Sequence, residues 1–576
     1  MSDKYILACD LGTSTTKSSI VNMRGQVLGT THHTYQVEYP QERWAEQDPL
    51  VYWEAVTSTS RRVIEQTKTN PKDIVAFTVD AMMASVIPVD AKGNALRKTI
   101  LWHDVRSVDY VTPLMNQFTI PDMLAKNIIP VASAKDPLPK VLWVKNEEPE
   151  IFKKATKFVD VKDWILFKCG LGDFYTDWSH ACLWNYFRVD KHEPEPEIIK
   201  EGLGLSLDHL SIIKKTTDLL GTPSEKAAKE LGLTTNTQIV CGCGDLVAVP
   251  IGSGAIALGK PHLYIGSSGW ISQHQDTPQF DLSGAGTVES AIPGRLLLTG
   301  HTESAGSCLA WLVKNVCTQE INEALEKKMD VYDLITENAK SIPPGSRNLI
   351  YLPWPVGERC PFINPFVRSA FLNLSFDHTR AHMVRAVLEG VAYNLRWVKE
   401  VIESLGHTIT SLNICGGGAK SDLWVRIFTD VLNVPLQRTM TLQDAGAVGV
   451  ALVAAVALKE FKTFDELLEA YKEQVVHNYD FNMNLFKEME KHYDQELAMA
   501  YSPFASGYME GCIENGKDLS QGGTKYFIET EGGRFVDRAL SDTTDSLIAI
   551  KKVVLENKEA TMGELLAWVI GWDLIL

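Results

Sequence analysis

Short buried-strand patterns alternate with helical ones along this chain, and the alternation starts twice. Tyr5-Ile6-Leu7-Ala8-Cys9 runs into the polar turn Asp10-Leu11-Gly12-Thr13-Ser14-Thr15-Thr16-Lys17, and a second strand, Ser18 to Asn22, follows directly. Asp48-Pro49 supplies a helix N-cap and first-turn proline ahead of the apolar-periodic stretch Val51 to Ile64, and Ile74 to Val79 returns as a strand. Strands are next expected at Gln238 to Cys241 and His262 to Ile265. The theme then restarts: a hairpin around Ile265-Gly266-Ser267-Ser268-Gly269, a long helix from His382 to Glu403, a strand from Leu412 to Cys415, and helices from Ser421 and Asp444. Such alternation builds α/β layers in two similar domains and argues against an all-helical or all-β fold. The glycine-rich Ile251-Gly252-Ser253-Gly254-Ala255 marks the boundary, so the domains are expected at 1–250 and 251–500. Beyond Ser502 the glycines Gly507, Gly511, Gly516, Gly522 and Gly523 are spread through a polar segment, and 501–576 reads as an appended tail.

Length and composition narrow the function classes. At 576 residues, 45% hydrophobic and 22% charged, the chain is long enough for several cores and is neither disordered nor fibrous in composition. A net charge of −16 repels polyanions, and no basic cluster marks a nucleic-acid groove, so nucleic acid is not an expected partner. No apolar run reaches the roughly 20 residues that span a bilayer, and no membrane partner is expected either. Ten cysteines are scattered, and the nearest pair, Cys241-Gly242-Cys243, lacks zinc-site spacing. With a strand starting almost at Met1 and no leader pattern, reduced thiols and a cytoplasmic location are expected.

Three turns point to phosphate. In the first, Gly12, Thr13 and Ser14 can aim amides and hydroxyls at phosphate oxygens while Lys17 adds positive charge and Asp10 can hold a metal ion. Gly266, Ser267 and Ser268 form a second such turn. Gly416, Gly417, Gly418, Ala419 and Lys420 form a third, after a strand and before a helix, where the backbone can approach a nucleotide closely. Distributed over two α/β halves, they suggest a nucleotide in the cleft between domains. Asp245 ends the buried strand Val240-Cys241-Gly242-Cys243-Gly244 at a glycine-flanked tip, the exposure that a general base needs to take a proton from an attacking hydroxyl.

The chain resembles the FGGY family of carbohydrate kinases over about residues 4–500. Asp10 to Lys17 stands at the family's first phosphate motif, and Trp44-Ala45-Glu46-Gln47-Asp48-Pro49 is similar to its Trp-x-Glu-Gln-Asp-Pro element. Pro137 to Glu147 fits the first family signature, with Lys135 departing at its opening. Ser369 to Leu374, His382 and Ala386 to Gly390 fit the second, with Asn373 in place of glycine. The resemblance implies two actin-like (ASKHA, ribonuclease H-like) domains with an interdomain cleft, ATP and Mg2+ as cofactors, and phosphoryl transfer to a small-molecule sugar. It places Asp245 at the catalytic base, Asp10 at the metal-associated acid and the three glycine turns at ATP. Met83, Ala84, Trp102, Asp104, Arg106 and Asp245 fall on the sugar side, where Trp102 can stack on a sugar face and Asp104 and Arg106 can pair with each other or with hydroxyls. A ketopentose such as D-xylulose is the leading substrate. Ala84 stands where related xylulokinases and gluconokinases carry histidine, which keeps gluconate, a polyol and a non-catalytic sugar or nucleotide sensor open as alternatives. His103 and His180 read as structural histidines.

The tail resembles something else. Gly511 to Asp518, Gly522 to Tyr526 and Asp545 to Lys552 are similar to a C-terminal stretch of glycyl radical enzymes, although the radical loop is missing. A fused remnant is expected, whose apolar face would cover the kinase or a second copy in a homodimer.

Overall fold

The computed structural model describes residues 4–439 apart from 365, then 442–471 and 475–479. The expected appendage at 501–576 lies outside the described residues.

Two mixed sheets follow one plan. In the first, β1 (Tyr5–Leu11), β2 (Thr15–Asn22) and β3 (Val27–Thr34) run antiparallel, and β4 (Ile74–Ala81) returns parallel to β1 after helix α1 (Pro49–Thr67). β5 (Leu219–Gly221) and β6 (Gln238–Val240) extend it to the order β5-β6-β4-β1-β2-β3, with β7 (Cys243–Gly244) also on β4. In the second sheet, β8 (Pro261–Ile265), β9 (Gly269–Gln275), β10 (Gly286–Glu289) and β11 (Leu296–Thr302) are joined by β12 (Leu412–Cys415), which lies parallel to β8. With β13 (Leu436–Thr439) and β14 (Val475–Tyr479) the order is β10-β11-β9-β8-β12-β13-β14. Each half thus sets a tight hairpin beside a parallel strand that arrives by a helical crossover, because parallel neighbours cannot be joined by a short turn.

The period-2 pattern of β1 explains its layers. Leu7, Cys9 and Leu11 face the helix α1 side, packing with Tyr52, Ala55 and Val56. Ile6 and Ala8 face the other way, toward Val247, Ala248 and Ile251 of α4 (Asp245–Gly252) and Val448, Ala451 and Leu452 of α8 (Ala445–Ala457). In the second half, α6 (Arg380–Ser404) covers its sheet through Val387, Val391, Leu395 and Val398 against Leu263, Ile265 and Ile271. Asp48 caps α1 as expected, accepting from Leu50 N at 2.9 Å.

α8 comes late in the chain yet packs on β1 and β4 of the first sheet and on α4. Its sequence, Ala445 to Ala457, is apolar all round, as a helix buried on every side must be. α4 and α8 cross with backbones touching: a Cβ on Gly252 would lie 1.9 Å from Ala445 O, and one on Gly449 1.9 Å from Ala248 O. This crossing joins the first domain to the chain of the second.

The strand expected to reach Cys241 stops at Val240. Gly242 takes φ 71°, and a Cβ there would meet Val79 O at 2.0 Å, so the chain turns away before β7 re-pairs with β4. The helix expected directly after the third glycine turn begins one step later: Gly417–Lys420 forms a 3-10 turn, and Ser421 caps α7 (Asp422–Leu432). No helix among the described residues is long and apolar enough to cross a membrane.

Candidate active site

Three acids stand at the ends of three neighbouring parallel strands. Asp10 in β1 is in register with Asp80 in β4, and β7, whose Cys243 lies opposite Asp80, delivers Asp245 immediately after its end. Asp245 is the first residue of α4, half-buried, and its Oδ1 accepts from Leu246 N at 2.7 Å. Burial and then the nearby Asp10 push its carboxyl up to about 7, against the opposing pull of the Leu246 amide and His180. A carboxyl so tuned is a competent base near neutral pH. Asp80 is fully buried, and burial, Asp10 and Asp245 together hold it well above the usual carboxylate range.

The turn bearing Asp245 is braced from both sides. Gly244 N donates to Ser179 Oγ at 3.1 Å, and Asp177 holds Ser179 N at 2.8 Å, His180 Nδ1 at 2.8 Å and Lys162 Nζ at 3.1 Å. Met83, expected on the sugar side, lies so close that a Cβ on Gly244 would stand 2.1 Å from its Sδ. Met83 and Asp245 are therefore neighbours through this turn. Ala84 has φ 63°, unusual for a residue with a side chain, and its carbonyl is fixed by Lys140 Nζ at 2.9 Å. The same side chain holds Trp102 O at 3.1 Å, so one buried lysine ties the Ala84 and Trp102 loops together. Burial pushes Lys140 down to about 7.

The first phosphate turn has its carbonyl oxygens held: Gly12 O by Tyr35 Oη at 2.7 Å, Thr13 O by Gln47 Nε2 at 2.8 Å, and Ser14 O by Tyr35 N at 3.0 Å. A turn held this way can offer its remaining amides and hydroxyls to an anion, while Gly12 N is already given to Thr15 O at 3.0 Å. Trp102 Nε1 donates to Thr13 Oγ1 at 2.9 Å, which joins this turn to the Trp102 loop. Lys17 lies 3.6 Å from Asp10 and donates to Gln443 O at 2.9 Å, just ahead of α8.

Asp104 and Arg106 realise the pairing with each other. Arg106 Nη2 sits 2.7 Å from Asp104 Oδ2, both side chains are fully buried, and the guanidinium lies 3.7 Å over Trp44 and 2.8 Å from Glu46. Asp104 Oδ2 also accepts from Ala45 N at 2.6 Å. Their polar groups therefore hold the Trp44-to-Pro49 segment, and neither presents a free charge to a sugar. Trp102 remains half-buried.

The second and third turns end adjacent strands, β8 and β12. A Cβ on Gly416, at φ 94°, would lie 2.4 Å from Ile265 O. Ala305 N, Gly306 N and Ser307 N, at the start of α5 (Gly306–Val316), donate to the carbonyls of Ser267, Gly266 and Ser267, fixing the turn and leaving Ser267 exposed. Gly417 and Lys420 are exposed, whereas the Ala419 side chain is buried in the core and could meet a nucleotide only through its backbone.

A model of the FGGY carbohydrate kinase N-terminal domain matches residues 5–252, and one of the C-terminal domain matches 262–458. The chain belongs to the FGGY family of carbohydrate kinases. Among curated relatives, a gluconokinase of Bacillus subtilis is 29% identical over 463 residues, 80% of this chain and 89% of the relative. A xylulose kinase of the same organism is 27% identical over 85% of this chain and 97% of the relative. Among solved structures, a ligand-bound xylulose kinase and a gluconate kinase, both from Lactobacillus acidophilus, superpose with TM-scores of 0.75 at 25% identity. They cover 86% and 87% of this chain and 98% of each of theirs. These neighbours bear out the α/β fold with two actin-like domains expected from sequence.

A further model, described as pyruvate formate lyase-like, matches residues 427–570 and so includes the tail whose glycyl radical resemblance the sequence shows. It overlaps the FGGY match over 427–458. Within that overlap the chain folds as the end of α7, β13 and α8, in contact with the kinase sheets.

Two residues of the site escaped the sequence reading. Asp80 closes an apolar strand much as Asp10 does, and that shared pattern was the available signal. Lys140 lies within the first family signature, but only the folded chain brings the Ala84 and Trp102 carbonyls to it.

Proposed function

We propose that this FGGY kinase transfers the γ-phosphoryl group of ATP to a hydroxyl of a small sugar, with a ketopentose such as D-xylulose as the leading acceptor. The observation that carries the reading is Asp245: a half-buried carboxyl at a braced strand tip, raised to about 7, beside Met83 of the sugar loop. Its carboxylate accepts the hydroxyl proton as the sugar oxygen forms its bond to the γ-phosphorus, and the bond from that phosphorus to the bridging oxygen breaks to release ADP. The held turn at Gly12, Thr13 and Ser14 receives the transferring phosphoryl group, and the turns at Gly266 and Gly416 receive the nucleotide. Asp10 would hold Mg2+, which when bound supplies charge compensation on the phosphates. The nine described cysteines are all unpaired and buried, in keeping with a reducing cytosol.

Ala84 favours a second reading of the acceptor. Without an imidazole at that position, gluconate or a polyol is a candidate alongside xylulose, and the relatives named gluconokinase keep it in view. ADP release with Mg-ATP against pentuloses, hexuloses, polyols and aldonates tests both: sugar-dependent turnover names the acceptor, and nucleotide binding without turnover on any of them would favour a sensor.

A further inference from the structure

We propose that Asp80 is a second protein ligand, with Asp10, of the divalent cation that accompanies the nucleotide. The inference rests on the kinase reading above. Asp80 has no exposed surface, and neither of its carboxylate oxygens has a hydrogen-bond partner among the described residues. A buried carboxylate in that condition is costly, and folded proteins nearly always satisfy such a group. Its near neighbours add to the cost, because Asp10 lies beside it in the parallel register and Asp245 follows the strand on its other side. The nearby ammonium, Lys17, is turned to Gln443 O and Asp10.

The two carboxylates converge on one place. A Cβ on Gly446, in the first turn of α8, would stand 2.7 Å from Asp80 Oδ2 and 3.3 Å from Asp10 Oδ2. Both oxygens thus abut the bare Cα of Gly446, and a small hard cation held between the two carboxyl groups is the species that would favour their ionised forms together. Mg2+ typically binds through one or two carboxylates and completes its shell with phosphate oxygens and water. Among the described residues there is no cluster of three or more acids, histidines or cysteines that could hold a metal ion, so the remaining ligands of a cation here would be phosphate oxygens and water.

The test uses Mn2+ as probe on the full chain with ADP, following free Mn2+ by electron paramagnetic resonance. Asp80→Asn keeps the shape and removes the charge. Loss of a protein ligand should weaken Mn2+ at least about tenfold, the lower end of what even outer-shell changes cost, while ADP affinity measured without metal stays the same. Asp80→Ser, measured in parallel, should weaken Mn2+ likewise and covers the case in which the asparagine chain fails to fold. Unchanged Mn2+ affinity in the folded variants would overturn the proposal. Because the readout is metal binding, failure here is distinct from failure of the kinase reading, which would appear as no ADP release by the wild-type chain with any sugar.

Discussion

Lys135 Nζ lies 2.6 Å from Glu303 Oε1, linking the loop ahead of the first family signature to the end of β11 in the second domain. Arg359 Nε reaches the same oxygen at 3.0 Å, and Glu303 N donates to Glu358 Oε1 at 2.8 Å. Burial works to raise Glu303, but Arg359 and Lys135 prevail and bring it to about 2. The contact ties the two halves across the cleft. Lys135→Ala should weaken this contact between the halves by about 1–3 kcal/mol, the usual worth of a charge-assisted contact away from bulk water, and raise the sugar KM more than it lowers kcat. Steady-state kinetics check this, and an unchanged KM would show that the contact has no part in sugar binding.

The raised carboxyl of Asp245 sets a pH dependence. As the base it acts ionised, so kcat/KM should rise with pH through about 7 and level off above. Stability runs the other way. A carboxyl raised from its unfolded value disfavours the folded state fully above about 7 and not at all below the unfolded pKa of about 4. Asp245→Asn should therefore melt higher than the wild type at pH 8, with the difference shrinking as pH falls from 7 toward 4; thermal melts across that range measure it.

Gly449 sits where α8 meets the backbone of α4, the helix that begins with Asp245. Gly449→Ala forces the helices apart and should destabilise the chain by about 1–3 kcal/mol through overpacking. The shift is transmitted to Asp245, and a displacement of about 1 Å costs on the order of 100-fold in rate. Full kcat in the variant would show that the crossing does not position the acid.

Lys140→Met removes the one ammonium that holds both Ala84 O and Trp102 O. Two half-buried carbonyls lose a donor, which should cost about 1–2 kcal/mol in stability. The sugar KM should rise several-fold while ADP affinity is unchanged, because the loops concerned carry the proposed sugar-side residues. Calorimetry with ADP alongside sugar kinetics separates the two effects.

Much of this was legible in the sequence for a physical reason. Buried strands ending in an acid or a glycine turn leave a local signature, so the ends of β1, β8 and β12 and the tip at Asp245 stand out from the residues alone. What stayed hidden depends on contacts between distant segments. Asp104 and Arg106 could face each other or a sugar, and Trp44 and Glu46, brought in from an earlier segment, decide for the internal pair. The apolar character of α8 announces a buried helix, but not that it packs on the first sheet. Lys135 departs from the family signature in the sequence, and only its approach to Glu303 gives the departure a meaning.

The most direct test of the central claim is ADP formation by Asp245→Asn with the sugar that the wild type turns over. A general base contributes about 100-fold to 10,000-fold, so kcat should fall by that much while ADP affinity stays within about twofold. Turnover within tenfold of the wild type would contradict the assignment of Asp245 as the base.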